Sequence, residues 1–150
     1  MDAARTEQVS GVSPNGDLSA TIREAGLKAT RPRLLVLELL RDTAGHLPAE
    51  RIISDLADRG TPLARGSVYN VLSALSGAGL IMIADAGPGR TLYEASGYWH
   101  HHFVCGNCGK VVDVRCATGE KPCIEPAGLD ADVHEAQVIY RGRCPDCAQA

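Results

Sequence analysis

Trp99-His100-His101-His102-Phe103-Val104-Cys105-Gly106-Asn107-Cys108-Gly109-Lys110-Val111-Val112-Asp113 is the stretch on which the reading of this chain turns. Three of the five histidines stand in a row, and Cys105 and Cys108 follow as a Cys-x-x-Cys knuckle. A second knuckle, Cys144 and Cys147, lies near the C-terminus. Two such pairs fill the four tetrahedral positions of one Zn2+ ion. That is a closed thiolate site, which stabilises a fold and leaves no open position for chemistry. The 35 residues between the pairs exceed the gap of a compact zinc ribbon, so the metal is expected to pin the C-terminus to the start of a small β domain. Two disulfides, or unrelated thiols with accidental spacing, are the competing accounts.

Composition bounds the rest. A chain of 150 residues holds one large domain or two small ones, near the size at which a metal staple helps most. With one Phe and one Trp, the cores must be aliphatic. No run approaches a membrane span and no secretory leader opens the chain, so a cytoplasmic protein without membrane association is expected. In that reducing compartment six cysteines after residue 104 point to metal or redox chemistry before structural disulfides. The net charge of −3 is neutral evidence on nucleic acid, because a dimer can gather its basic groups on one face.

Residues 1–16 lack periodicity and read as a flexible tail. Asp17 can cap a short helix, Leu18 to Ala25, that Gly26 ends. Thr30-Arg31-Pro32 opens a second helix whose leucines at 34, 35, 37, 39 and 40 make a wide apolar face, with Gly45 as its stop. Pro48 to Asp58 predicts a third. The next run, Arg65-Gly66-Ser67-Val68-Tyr69-Asn70-Val71-Leu72-Ser73-Ala74-Leu75, buries Val68, Leu72 and Leu75 at helical spacing. It presents Arg65, Ser67, Tyr69 and Asn70 at its first turns, as a recognition helix does. Leu80 to Ala84 and Thr91 to Glu94 then form a hairpin with Arg90 at its tip. Helices followed by a hairpin make a winged helix-turn-helix over residues 17–95. Arg23, Lys28, Arg31, Arg33 and Arg90 are its candidate phosphate contacts. A helical domain that binds only protein would have no use for them.

These motifs together resemble the ferric uptake regulator family. They are Thr-Arg-Pro-Arg, Ser-Val-Tyr-Asn-Val-Leu, the histidine-triplet stretch and the closing Cys-Pro-Asp-Cys. The stretch Cys116 to Cys123 and the ending Val-Ile-Tyr-Arg-Gly-Arg-Cys-Pro-Asp-Cys are similar to an actinobacterial branch that represses catalase-peroxidase genes in response to peroxide and iron. The resemblance implies an α+β architecture. The winged-helix domain is followed by a hinge at 96–98 and by a small α/β dimerisation domain over 99–150, with a structural zinc on Cys105, Cys108, Cys144 and Cys147. It also implies a regulatory metal site on His46, Glu94, His100, His102 and Asp113. Glu94 stands where many members have Asp. Imidazoles at i and i+2 of a strand share a face, and nitrogen with carboxylate ligands suits Fe2+ or Mn2+ better than a thiolate-seeking metal, other divalent ions being accommodated.

The expected activity is therefore that of a homodimeric, metal-dependent repressor on a pseudo-palindromic double-stranded DNA operator. Peroxide would oxidise His46 or His100 and release the DNA. A zinc- or nickel-responsive uptake repressor is the alternative. A zinc hydrolase or deaminase is disfavoured because the cysteines close their zinc and no His-x-Glu precedes a Pro-Cys-x-x-Cys. A third family site is expected to be incomplete: its last histidine position holds Ala136, with His134 two residues away, and His101 would need a bent register to join it. Cys116 and Cys123 are left as candidate redox thiols, or as two inert thiols in a loop.

Overall fold

The computed structural model describes residues 16–149; the expected tail over residues 1–16 lies almost wholly outside them. Helix α1 (Leu18–Glu24) starts at Asp17, whose side chain accepts the Ser19 backbone N–H at 2.9 Å. Helix α2 (Arg31–Asp42) carries proline in its first turn, but the Thr30 hydroxyl makes no capping bond. Gly45, at φ 107°, turns the chain into β1 (Leu47–Pro48). Then follow α3 (Ala49–Asp58) and α4 (Arg65–Gly77). The hairpin is β2 (Met82–Asp85) with β3 (Thr91–Glu94), and β1 adds to it in the order β1-β3-β2. That third strand was not expected, because two residues containing a proline carry no periodicity to read.

Beyond Glu94 the chain builds a second sheet from β4 (His100–Cys105), β5 (Val111–Arg115) and β6 (Ile139–Gly142), in the order β5-β4-β6. The central strand β4 pairs antiparallel with β5 and parallel with β6, which buries all three histidines. Residues 116–138 run without helix or strand, and helix in this half is confined to α5 (Pro145–Ala148) among the described residues.

The two halves are held unequally. Leu37, Leu39, Leu40, Ile52, Leu56, Val68, Leu72 and Leu75 interlock α2, α3 and α4 in a core that also takes in Ile22 of α1. Each such side chain contributes on the order of 1.5–3 kcal/mol. Between the sheets only Ala84, Ala86, Leu92 and Val104 are buried together, with Val111 and Ile139 at the margin. Two of those four are alanines, so the apolar area joining the halves is small. Polar contacts supplement it: Arg141 reaches the Asp85 carbonyl at 3.3 Å, and Arg90 the Gly109 carbonyl at 3.3 Å. Among the described residues no helix is long and apolar enough to cross a membrane.

Candidate metal centres

Two clusters of ligand-bearing side chains form, each with its donor atoms within 4.8 Å of one another. The first gathers Cys105 and Cys108, from the end of β4 and the turn after it, with Cys144 and Cys147 around the start of α5. The Cys144 backbone N–H donates to Cys105 Sγ at 3.3 Å, and Cys108 Sγ lies 3.8 Å from Cys144 Sγ. Backbone N–H groups of Cys108 and Cys144 draw the Cys105 thiol down to about 6. The crowding sulfurs of Cys144 and Cys108 push Cys147 up to about 12. One sulfur is thus favoured as a thiolate while the last is held as a thiol by its neighbours. Such a donor set fits a tetrahedral, thiolate-binding ion.

The second cluster draws on four separate elements. His46 comes from the loop before β1, Glu94 from the end of β3, His100 and His102 from one face of β4, and Asp113 from β5 opposite His102. Glu94 Oε1 lies 2.8 Å from Nε2 of His100, 2.8 Å from Nε2 of His102 and 3.3 Å from Nε2 of His46. Asp113 Oδ1 is 3.1 Å from His46. His100 Nδ1 donates to the Tyr98 carbonyl at 3.1 Å, so the neutral ring turns a bare Nε2 toward Glu94 and toward His102 Nε2 at 3.1 Å. Lone pairs therefore face lone pairs in a buried site. His46 Nε2 and His102 Nδ1 are buried and make no aligned hydrogen bond among the described residues. Only added positive charge, as protons or as a cation, satisfies this arrangement.

The charge response agrees. Burial alone would raise the Glu94 carboxyl, but His100, His102 and His46 together hold it far below the usual carboxylate range. His46 is raised by its contact with Glu94. His100 is raised because Glu94, the Tyr98 carbonyl and Asp113 outweigh its burial. Three imidazoles and two carboxylates, unsatisfied in the absence of a cation, fit a nitrogen- and oxygen-binding divalent ion.

The remaining residues divide. Arg65, Ser67, Tyr69 and Asn70 are all exposed on the first turns of α4. A residue the sequence did not single out, Glu50 of α3, binds Arg65 Nη2 at 2.7 Å and accepts the Tyr69 hydroxyl at 2.9 Å. No local pattern marks an exposed acid that acts on another helix. Arg23, Lys28 and Arg31 are exposed, while the Arg33 guanidinium caps the Lys28 carbonyl at 2.8 Å. Arg90 lies exposed at the end of the hairpin loop, directly before β3, and its guanidinium folds back over Gly109 (φ 73°), resting 3.0 Å from where a Cβ would stand. The third site does not assemble. His134 is 84% exposed beside Asp132 at 3.4 Å, whereas His101 is buried and accepts the Val138 N–H at 3.2 Å. Cys116 and Cys123 are joined as a disulfide.

With this geometry in hand, the likenesses to known proteins are consistent. Residues 24–137 match the ferric uptake regulator family. The chain is 39% identical over 134 residues to the transcriptional regulator FurA of Mycobacterium tuberculosis, covering 88% of this chain and 90% of that one. It is 36% identical over 145 residues to ferric uptake regulation protein 2 of Mycolicibacterium fortuitum, covering 93% and 98%. In structure it is similar to the ferric uptake regulator of Pseudomonas aeruginosa solved with manganese. The TM-score is 0.69 and the identity 26%, over 86% of this chain and 99% of that one.

Proposed function

The chain belongs to the ferric uptake regulator family, and from that premise we propose that it is a metal-dependent transcriptional repressor, binding double-stranded DNA as a homodimer and responding to iron and peroxide. The observation that carries this reading is the convergence of imidazoles from both halves of the molecule on Glu94 Oε1. In this reading His46, Glu94, His100, His102 and Asp113 hold Fe2+ or Mn2+, and Cys105, Cys108, Cys144 and Cys147 hold a structural Zn2+. When bound, the regulatory ion supplies the positive charge that the facing lone pairs lack.

The residues do the rest. His46 is tied through β1 to the helical half, and His100 and His102 to β4, so a shared cation fixes residues 96–98 as a set hinge between domains 17–95 and 99–150. The apolar contact between the sheets is too small to fix it alone. A fixed hinge sets the distance between the two α4 helices of a dimer, which must match half-sites on a pseudo-palindrome. Arg65, Ser67, Tyr69 and Asn70 then meet base edges and phosphates, with Arg23, Lys28 and Arg31 on the backbone. The coupling comes from tighter ion binding by the closed shape, which shifts the population toward it. Exposed Val112 on β5 and Tyr140 on β6 support pairing of two copies through this sheet.

The finer reading takes oxidation of His46 or His100 as the peroxide signal and catalase-peroxidase or other oxidative-stress genes as targets. It is supported by the nitrogen–oxygen donor set and by the likeness of residues 116–123 to the actinobacterial branch. The test is metal analysis of the full chain, with operator affinity measured after chelation, after reloading and after peroxide. One zinc should survive chelation; Mn2+ or Fe2+ should restore binding that weakens steeply with salt; and peroxide should abolish binding only of the iron form. Restoration by Zn2+ or Ni2+ alone would replace this reading by an uptake regulator of those metals. Binding indifferent to chelation would end it.

A further inference from the structure

Strand β4 carries different chemistry on its two faces. His100 and His102 turn one way, with ring centroids 4.7 Å apart. His101 turns the other way, edge-on to Trp99 at 6.1 Å. On that second side one ring nitrogen of His101 and the sulfurs of Cys116 and Cys123 lie within 4.8 Å. The spacing would suit a metal, but the hydrogen bonding does not. The Val138 N–H occupies the lone pair of His101 Nδ1, which places the proton of the neutral ring on Nε2 and leaves no free lone pair for an ion. The imidazole is a donor, not a ligand.

The sulfurs sit among further donors. The Trp99 indole N–H points at Cys123 Sγ from 3.2 Å, and the Lys121 ammonium lies 4.1 Å from the centre of the same indole ring, while also paired with Glu135 at 2.9 Å. The Glu120 carbonyl lies 3.1 Å from Cys123 Sγ. Cys116 Sγ is 3.3 Å from the Thr118 hydroxyl. Both cysteines are only half-buried, so a small oxidant reaches them. An N–H donor aimed at a sulfur favours its thiolate form.

We propose that Cys116 and Cys123 form a reversible dithiol–disulfide site for hydroperoxides, a second oxidant-responsive centre that needs no metal and lies back to back with the imidazole cluster across β4. The Cys123 thiolate attacks one peroxide oxygen; the O–O bond breaks, the departing hydroxide takes a proton to become water, and Cys123 becomes a sulfenic acid. The Cys116 sulfur then attacks Cys123 Sγ, forming the S–S bond as the hydroxyl leaves with the Cys116 proton as a second water. Two thiols and one hydrogen peroxide thus give one disulfide and two waters, the sulfurs having supplied two electrons. A dithiol reductant reverses the outcome by taking the disulfide bond onto its own sulfurs. Because Trp99 is the only tryptophan, the reaction carries its own optical reporter.

The test uses the full-length, zinc-loaded protein, stripped of labile ions and reduced with dithiothreitol. One equivalent of hydrogen peroxide should remove two titratable thiols, change the Trp99 emission and leave the zinc in place, and dithiothreitol should restore the starting state. Cys116→Ser should accumulate a sulfenic acid at Cys123 that dimedone traps, whereas Cys123→Ser should react more slowly by about tenfold or more. Trp99→Phe, with zinc content unchanged, should slow the first step, which a merely structural indole would not do. Oxidation falling first on the zinc-bound cysteines would overturn the proposal. So would equal, slow reaction of both serine variants, or uptake of an extra equivalent of Zn2+ by the reduced pair in place of oxidation.

Discussion

The cysteine cluster and the imidazole cluster are built on opposite plans. The four sulfurs come from two short knuckles in one half, and two backbone N–H groups already favour the first thiolate. The five nitrogen and oxygen donors come from a loop and three strands spread over both halves, and they leave lone pairs facing one another. A site assembled within one unit serves to hold that unit together. A site assembled across two weakly joined units reports whether they are closed, and its ligands must come apart when they open.

The most drastic way to break this contrast is at the sulfurs. Cys105→Ser removes the cysteine whose thiol is readied at about 6 and which receives the Cys144 N–H. Structural zinc contributes on the order of 10–16 kcal/mol in small domains, so the variant should lose zinc, the pairing of β6 with β4 and the dimer together. Zinc analysis and sedimentation check this; a zinc-loaded Cys105→Ser dimer would place the structural role elsewhere. His100→Ala should do the reverse. It should keep zinc and dimer but lose the metal-driven gain in operator affinity, a coupling expected at about 1–3 kcal/mol, roughly 5–150-fold. Operator titrations with and without Mn2+ decide it.

Acid separates the clusters further. Contacts with Glu94 raise the pKa values of His46 and His100. Their protonated forms therefore stabilise the fold below about pH 6.5, the ordinary imidazole value, and this contribution fades as pH rises through the folded values. Glu94 is shifted the other way, so its contribution is present above the ordinary carboxylate range and is lost only in strong acid. An incoming cation must displace the two imidazole protons. Mn2+ affinity should thus fall by up to about a hundredfold per pH unit below those values, while the zinc remains. Isothermal titration from pH 8 to pH 6 measures the slope, and a flat profile would mean that the imidazoles are not the ligands.

The difference in plan also explains what could be read from the sequence. Cysteine pairs two residues apart announce a thiolate site by spacing alone, and His100 and His102 announce a shared strand face. The leucines of α2 and the run from Val68 to Leu75 give the helical core for the same reason, since 3.6-residue periodicity is local. His46 and Glu94 have no spacing that joins them. They meet only because β1, two residues long, threads His46 beside β3, and they were placed by family resemblance and not by pattern. Glu50 was missed on similar grounds, as its partners Arg65 and Tyr69 lie on the next helix. Arg90 is exposed in the hairpin loop as its sequence context suggests, but that its guanidinium folds onto the turn at Gly109, between β4 and β5, has no local signal.

The finest discrimination lies within the imidazole cluster itself. Asp113 is its rim: 38% of its side chain is exposed, against 7% for Glu94, and it approaches His46 at 3.1 Å but His100 only at 3.5 Å. Asp113→Asn keeps the shape and one acceptor oxygen while removing a charge that water already screens. Its cost in Mn2+ affinity should be near tenfold, at the low end of what outer metal-site groups contribute. Glu94→Gln, by contrast, removes the buried charge at the centre of the cluster and should match His100→Ala. The ordering matters more than either value, because a cation seated on the axis of the three imidazoles depends first on Glu94. If Asp113→Asn proved the more damaging, the cation would sit toward β5, and the link between the sheets would run through His46 and Asp113 instead.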